Sequence, residues 1–126
     1  MLDKAIKLAC KVHSRQKDLA GNPYILHPLR VMMKMKTELE MVVAVLHDVI
    51  EDGGIELLLA ADFPTTVVGH IFVLSRCAGE PYEKYIKTVS KHKLATKVKH
   101  ADLDDNLDPD FCALNLAPTL PRSRIP

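Results

Sequence analysis

Four ionisable side chains fall within six positions at residues 47–52, which read His47-Asp48-Val-Ile-Glu51-Asp52. Apolar residues flank and interrupt them, so the segment is expected to form a largely buried helix. Buried charges are costly unless they are paired or bound to a metal. A divalent ion would relieve the repulsion among these carboxylates, because Mn²⁺, Fe²⁺ and Zn²⁺ all accept imidazole and carboxylate ligands. The alternative is a solvated acidic helix end before Gly53-Gly54.

Two further segments carry side chains that suit the same chemistry. His27 lies among apolar neighbours in PYILHPLRV, a setting more typical of a core histidine than of a metal ligand. In KVKHADLDDNL, Asp102 follows Val98 by four positions and precedes Asn106 by four, so the three share a helix face. The alternative for this stretch is a solvated acidic face, which is the expectation for the remaining acids Asp104, Asp105, Asp108 and Asp110.

The elements that would position these residues are all helical. Helical spacing of apolar residues predicts segments at 2–13, 24–35, 37–52, 55–62, 65–76, 81–92 and 94–107, separated by Gly- and Pro-containing breaks. Thr37 with Glu40 resembles a capping box that opens the third helix, and Gly53-Gly54 is expected to end it. We therefore predict an all-α fold of six or seven short helices, packed as a compact orthogonal assembly. Residues 1–110 are expected to form one domain, followed by a proline-containing tail over 111–126 that is extended or disordered.

Composition narrows the possible functions. The 126 residues are 48% hydrophobic and 26% charged, with a formal net charge of +1. That balance does not indicate nucleic acid or a membrane surface as partner, but it permits a small anionic ligand. No apolar run is long enough for a membrane span and no signal-peptide pattern is present, so a cytoplasmic location is expected. Three separated cysteines (Cys10, Cys77 and Cys112) are expected to be small buried residues in a reducing compartment.

The spaced pattern His27…His47-Asp48…Asp102 resembles that of the HD-domain metal-dependent phosphohydrolases. The segments QKDLAGNPYILHPLRVM, AVLHDVIED and VKHADLDDNLDP are similar to the hydrolase domain of the RelA/SpoT alarmone enzymes, most closely to its small stand-alone branch. The resemblance implies Mn²⁺-dependent hydrolysis of the 3′-pyrophosphate of ppGpp and pppGpp, with Fe²⁺ or Zn²⁺ as other possible ions. It further implies that the metal ligands are His27, His47, Asp48 and Asp102, that the catalytic acids are Glu51 and Asp52, and that Asn106 contacts the ribose side.

One departure from the family concerns the nucleotide. An Arg-Lys pair that relatives carry before the Gly-x-Pro-Tyr-Ile segment is replaced by Asp18-Leu19, and Lys17 is the nearest substitute. Lys99, one turn before Asp102, is a second candidate for binding phosphate. Arg76 and Tyr82 complete the predicted substrate-binding set. Tyr82 is a candidate platform for a purine, although a core or surface tyrosine is the more common alternative. His100 is expected to pack, and no functional role is assigned to His13, His70 and His92.

Three functions remain open at this point. The first is hydrolysis of a 3′-pyrophosphorylated guanine nucleotide. The second is an HD-domain phosphatase for another nucleotide, such as a nucleoside monophosphate or a dinucleotide 2′-phosphate, which the loss of the Arg-Lys pair favours. The third is a metal- or alarmone-binding module without turnover, although such a module has no chemical need for both Glu51 and Asp52. Whether the chain is a monomer or a homo-oligomer is not predicted.

Overall fold

The computed structural model describes residues 1–107, and within them seven α-helices and no strand are found. The helices are α1 (Leu2–Val12), α2 (Leu26–Met33), α3 (Glu38–Leu46), α4 (Ile55–Ala60), α5 (Thr65–Leu74), α6 (Tyr82–Ser90) and α7 (Lys93–Leu107). The prediction of an all-α fold is confirmed. The predicted tail lies outside the described residues, as do Asp108, Asp110 and Cys112.

Helix α3 forms the centre of the fold. All residues from Val42 to Leu46 are fully buried, and α3 packs against α1, α2, α5 and α7. A helix that is apolar around its whole circumference is stable only when other elements surround it. The residues that follow α3 are therefore delivered into the middle of the molecule.

Helix α3 begins where the sequence predicts. The Thr37 hydroxyl accepts from the Glu40 backbone N–H at 3.2 Å, and the Glu40 carboxylate accepts from the Thr37 N–H at 3.2 Å, which completes the capping box. Such reciprocal bonds satisfy backbone donors that have no partner within the helix.

The end of α3 differs from the prediction, because the helix stops at Leu46 and residues 47–53 form successive turns. The Ala44 carbonyl accepts from the His47 backbone N–H at 3.3 Å and from His47 Nδ1 at 2.6 Å. In a continuing helix that carbonyl would instead accept from the Asp48 N–H. The histidine side chain thus competes with the helical bond, and the chain turns at the candidate site.

The cysteine expectation is wrong for the two cysteines that the structure describes, since Cys10 and Cys77 are exposed. Cys10 follows the fully buried Ala9 by one position, which places it on a different face of α1.

None of the seven helices in residues 1–107 combines the length and the apolar composition needed to cross a membrane.

Candidate metal centre

Side chains from three elements converge beside the end of α3. His27 comes from α2, His47 and Asp48 from the turn after α3, and Asp102 from α7, and each is at most 4% exposed. One ligand atom from each of His27, His47 and Asp102 lies within 4.8 Å of the other two. Asp48 Oδ2 lies 3.1 Å from His47 Nε2 and 3.9 Å from His27 Nε2. The structure therefore brings together all four predicted metal ligands, which are up to 75 residues apart in the chain.

His47 presents a lone pair to carboxylates. A carbonyl oxygen can only accept, so the bond to the Ala44 carbonyl places the proton of a neutral imidazole on Nδ1 and leaves Nε2 as an acceptor. Asp48 Oδ2 and Asp102 Oδ1 lie 3.1 and 3.4 Å from Nε2, yet among the described residues neither contact has hydrogen-bond geometry. A buried nitrogen that faces two carboxylate oxygens without a hydrogen bond to either is suited to a cation between them. The donor set and this unsatisfied nitrogen both fit a divalent metal ion.

Without an ion, the same arrangement attracts a proton. Burial opposes protonation of His47, but the close approach of the negatively charged Asp48 and Asp102 carboxylates outweighs it and raises the pKa of His47 well above its usual value. A metal ion and this proton compete for one nitrogen, because a histidine must be neutral to bind a metal.

Asp102 is held ionised by its neighbours. Its Oδ1 lies 2.7 Å from His27 Nε2, and its Oδ2 accepts from Lys99 Nζ at 2.9 Å. Burial raises the pKa of Asp102, but the Lys99 charge and the contacts with His27 and His47 outweigh burial and hold the pKa well below its ordinary value. Burial lowers the pKa of Lys99, yet Asp102 and other neighbours raise it above its usual value. Both groups are therefore charged across the physiological pH range.

Sequence reasoning missed Tyr24, which supports the site from the loop before α2. Tyr24 is 2% exposed, and its hydroxyl donates to Asp48 Oδ2 at 2.5 Å. Its ring lies between the rings of His13 and His27, with centroids 5.2 and 5.7 Å away. This one side chain therefore contacts one candidate ligand through its hydroxyl and another through its ring.

The two predicted catalytic acids lie in different surroundings. The Asp52 side chain is fully buried, with Oδ2 2.8 Å from His13 Nδ1. Burial and the Asp48 charge raise the pKa of Asp52, although contact with His13 and Gln16 opposes the rise. Glu51 is half-buried, and its charge contributes to the raised pKa of the Tyr85 hydroxyl, for which burial is the largest cause. As whole residues both acids are half-buried, but the Asp52 side chain itself has no exposed surface.

His13 was assigned no function, yet it is 1% exposed and contacts both Asp52 and Gln16, the latter at 2.6 Å. A signal for its burial was present in the sequence. His13 continues the four-residue steps of the fully buried Ala5 and Ala9 along α1.

Three of the predicted substrate-binding residues form a row that leads away from Asp102. Lys99 Nζ lies 5.4 Å from the centre of the Tyr85 ring, the Tyr85 and Tyr82 rings are 6.0 Å apart, and Arg76 lies 5.4 Å over the Tyr82 ring. The Tyr82 ring is 39% exposed. We call these four residues, Lys99, Tyr85, Tyr82 and Arg76, the cation–tyrosine row.

The other two predicted substrate-binding residues are not part of that row. Asn106 is half-buried one turn beyond Asp102 on α7. Lys17 is exposed in the loop between α1 and α2, where its backbone forms an isolated bridge with Pro23. Asp18, in the same loop, has a structural role, since its carboxylate accepts from the backbone N–H groups of Ala20 and Asn22 at 3.0 and 2.9 Å.

Asp105 and His100 differ from prediction. Asp105 was expected on a solvated face, but it is 2% exposed and accepts from His27 Nδ1 at 2.6 Å and from Arg30 Nε at 2.7 Å. Burial raises the pKa of Asp105, but these bonds outweigh burial and lower it to about 2. Asp105 lies three residues after Asp102 and hence on the same side of α7. His100 was expected to pack against other residues, but it is exposed. Asp104 is exposed, as predicted.

Comparison with known proteins gives one informative similarity. No protein-family model matches the chain. The chain is 31% identical, over 122 residues that include 85% of its length, to a protein named "Probable GTP pyrophosphokinase" from Mycobacterium leprae (strain TN). The chain spans only 15% of the length of that relative. The similarity links this chain to one segment of a much longer protein.

Proposed function

We propose that the protein is a metal-dependent phosphohydrolase that cleaves the 3′-pyrophosphate of ppGpp or pppGpp, giving GDP or GTP and pyrophosphate. One observation carries the proposal: His47 Nε2 is buried 3.1 and 3.4 Å from two carboxylate oxygens without a hydrogen bond to either, beside a second imidazole. This donor set matches a site for Mn²⁺, Fe²⁺ or Zn²⁺, held by His27, His47, Asp48 and Asp102.

A divalent ion in this site would lower the pKa of water and offset charge on phosphate oxygens. The protein's own contribution begins with orientation, because Tyr24 and Lys99 each donate to one of the two aspartates. Glu51, half-buried on the Tyr85 side, is the base that removes a proton from the attacking water and returns it to the leaving oxygen. Asp52 has no exposed side-chain surface, so we propose a structural role for it, in which its contact with His13 stabilises this turn.

The cation–tyrosine row gives the substrate a direction. Lys99 is the cation next to Asp102, with 17% of its side chain exposed, and so lies where the scissile phosphates would enter. Tyr82, with Arg76 over its ring, offers an exposed surface on which a planar base can stack. A nucleotide bound along this row would place its phosphates inward and its base outward.

The relative's name supports a second candidate activity, the transfer of pyrophosphate to GTP. Because the chain corresponds to only 15% of that relative, the name leaves open which activity the matched segment performs. A buried cluster of two imidazoles and two aspartates, with a half-buried glutamate beside it, suits activation of water better than binding of a second nucleotide. A phosphatase for another nucleotide would use the same cluster of imidazoles and aspartates and would differ only in how the cation–tyrosine row binds the substrate.

The test is pyrophosphate release from ppGpp by protein loaded with Mn²⁺, run beside a chelator-treated sample. The proposal predicts release that requires the metal and is lost in Asp48→Asn, whereas Asp104→Asn, an exposed aspartate on α7, behaves as wild type. Synthesis of ppGpp from ATP and GTP, without hydrolysis, would instead establish pyrophosphate transfer. Release of phosphate from other nucleotides, with ppGpp untouched, would establish the phosphatase.

A further inference from the structure

A buried carboxylate that sequence reasoning placed in solvent lies directly behind a candidate metal ligand. Asp105 Oδ2 accepts from His27 Nδ1 at 2.6 Å and from Arg30 Nη2 at 3.0 Å, while Oδ1 accepts from Arg30 Nε at 2.7 Å. Asp105 and His27 are each 2% exposed, and the Arg30 side chain is 25% exposed. Hydrogen bonds therefore connect the partly exposed Arg30, through Asp105, to His27 at the centre of the site.

We propose that Asp105 is the positioning residue of His27, fixing the imidazole so that Nε2 faces the ion, and that Arg30 in turn fixes Asp105. This inference rests on the proposed metal centre. It assigns a task to two residues that lie outside the ligand set and outside the predicted substrate-binding set.

The chemistry follows from what each group can donate. Both ring nitrogens of His27 lie at hydrogen-bonding distance from carboxylates, which only accept when ionised: Nδ1 from Asp105 and Nε2 from Asp102. A cation bound at Nε2 would take the place of a proton there, and the proton on Nδ1 would then donate to Asp105. Nε2 is the atom that lies 2.7 Å from Asp102 Oδ1 and 3.9 Å from Asp48 Oδ2, at the centre of the ligand set. Metal-bound histidines commonly donate their other N–H to a carboxylate or a carbonyl, which fixes the ring and strengthens the ligand.

The two histidines of the site are held by different kinds of acceptor. His47 donates to a neutral backbone carbonyl, that of Ala44, whereas His27 donates to a charged carboxylate. The charged acceptor makes His27 the more strongly donating ligand. Loss of Asp105 is therefore expected to weaken metal binding without removing a ligand.

Arg30 explains why Asp105 does not act as a ligand itself. Its guanidinium bonds to both carboxylate oxygens, and this two-pronged geometry is specific to arginine. The carboxylate is thereby neutralised and kept on the Nδ1 side of the imidazole. A lysine at position 30 would supply the positive charge but could not bond to both carboxylate oxygens with this geometry.

The experiment measures Mn²⁺ affinity by calorimetry for wild type, Asp105→Ala, Asp105→Asn and Arg30→Lys, with Asp104→Asn as the matched control on the same helix. Asp105→Ala is expected to weaken binding by about 10- to 100-fold, the usual cost of losing such a partner. Asp105→Asn is expected to fall between this variant and wild type, because its amide oxygen still accepts from Nδ1 but carries no charge. Arg30→Lys is expected to weaken binding less than Asp105→Ala, and Asp104→Asn not at all.

A second measurement reads the imidazole directly. Nitrogen NMR of the Zn²⁺-loaded protein is expected to show His27 protonated at Nδ1 and bound through Nε2, with this preference lost in Asp105→Ala. Unchanged Mn²⁺ affinity in folded Asp105→Ala and Asp105→Asn, or binding of Zn²⁺ through Nδ1 in wild type, would overturn the inference while leaving the metal centre intact. If wild type itself binds neither ion, the proposed function fails first and the inference fails with it.

Discussion

Replacing Gly54 with alanine tests whether the turn that carries Asp48 is packed as tightly as the structure shows. A Cβ at position 54 would lie 2.6 Å from Val49 Cγ1, 2.7 Å from Val12 Cγ2 and 2.9 Å from the Val49 carbonyl oxygen. Carbon atoms pack at about 3.5–4.0 Å, so each carbon contact is short by about 1 Å. None of these atoms is the end of a long flexible side chain. Gly54 also donates its N–H to the Val49 carbonyl at 2.8 Å, which limits how far the backbone can move.

The expected cost lies toward the upper end of the range for overpacking a core, about 3 kcal/mol. At roughly 4 °C per kcal/mol for a chain of this size, Gly54→Ala should melt about 10 °C below wild type. Mn²⁺ affinity should fall as well, because Val49 is adjacent to Asp48.

Gly69→Ala is the matched control for this substitution. A Cβ there meets nothing within 4 Å, and the position lies inside α5. Alanine at such a site is expected to add about 0.5–1 kcal/mol of stability. Thermal melting followed by circular dichroism, with and without Mn²⁺, measures both variants. Wild-type melting of Gly54→Ala would show that the turn is looser than described and would refute the reasoning.

Three further outcomes are expected. The pKa of Asp52 is raised in the folded protein, so wild type loses stability as pH rises through that pKa. Asp52→Asn removes this loss, and its melting temperature relative to wild type should therefore increase from acidic to neutral pH. A difference in melting temperature that does not change with pH would contradict the assignment. Lys99→Met should lower the stability of the metal-free protein by about 2–3 kcal/mol, because it removes the charged donor to Asp102. Mn²⁺ should then raise the melting temperature of this variant more than that of wild type, and equal shifts would argue against an ion at Asp102. Tyr82→Ala should raise the KM for ppGpp roughly tenfold with little change in kcat, as expected for loss of base stacking. Tyr82→Phe should retain the wild-type KM. An unchanged KM in both variants would show that the base does not stack on the cation–tyrosine row.

Sequence patterns predicted the helices well because the helical period and the breaks agree. Thr37 with Glu40 supplied a start signal that depends only on residues close in sequence, and the structure forms that capping box. The end of α3 could not be predicted in the same way. It depends on a bond from the His47 side chain to the Ala44 carbonyl, and a helical pattern does not reveal which way a side chain will turn.

The candidate site likewise combines features that the sequence predicted with features that it did not. The four predicted ligands could be chosen from residue type and family resemblance, and the structure brings them together. Asp105 was misjudged because acidic residues in an acidic stretch are usually solvated, although its spacing from Val98 and Asp102 follows the buried side of α7. Its burial depends on His27 and Arg30 from α2, which lie 78 and 75 residues away in the chain. Sequence spacing alone carries no information about such a partner.

The central claim is that His27, His47, Asp48 and Asp102 bind one divalent ion. The most direct measurement is anomalous X-ray diffraction at the manganese edge from crystals of the protein grown with Mn²⁺. The account predicts one strong peak within bonding distance of both Nε2 atoms and of an oxygen from each aspartate, and no such peak in Asp48→Asn crystals. A peak elsewhere, or an empty cluster in crystals whose protein binds Mn²⁺ in solution, would contradict it.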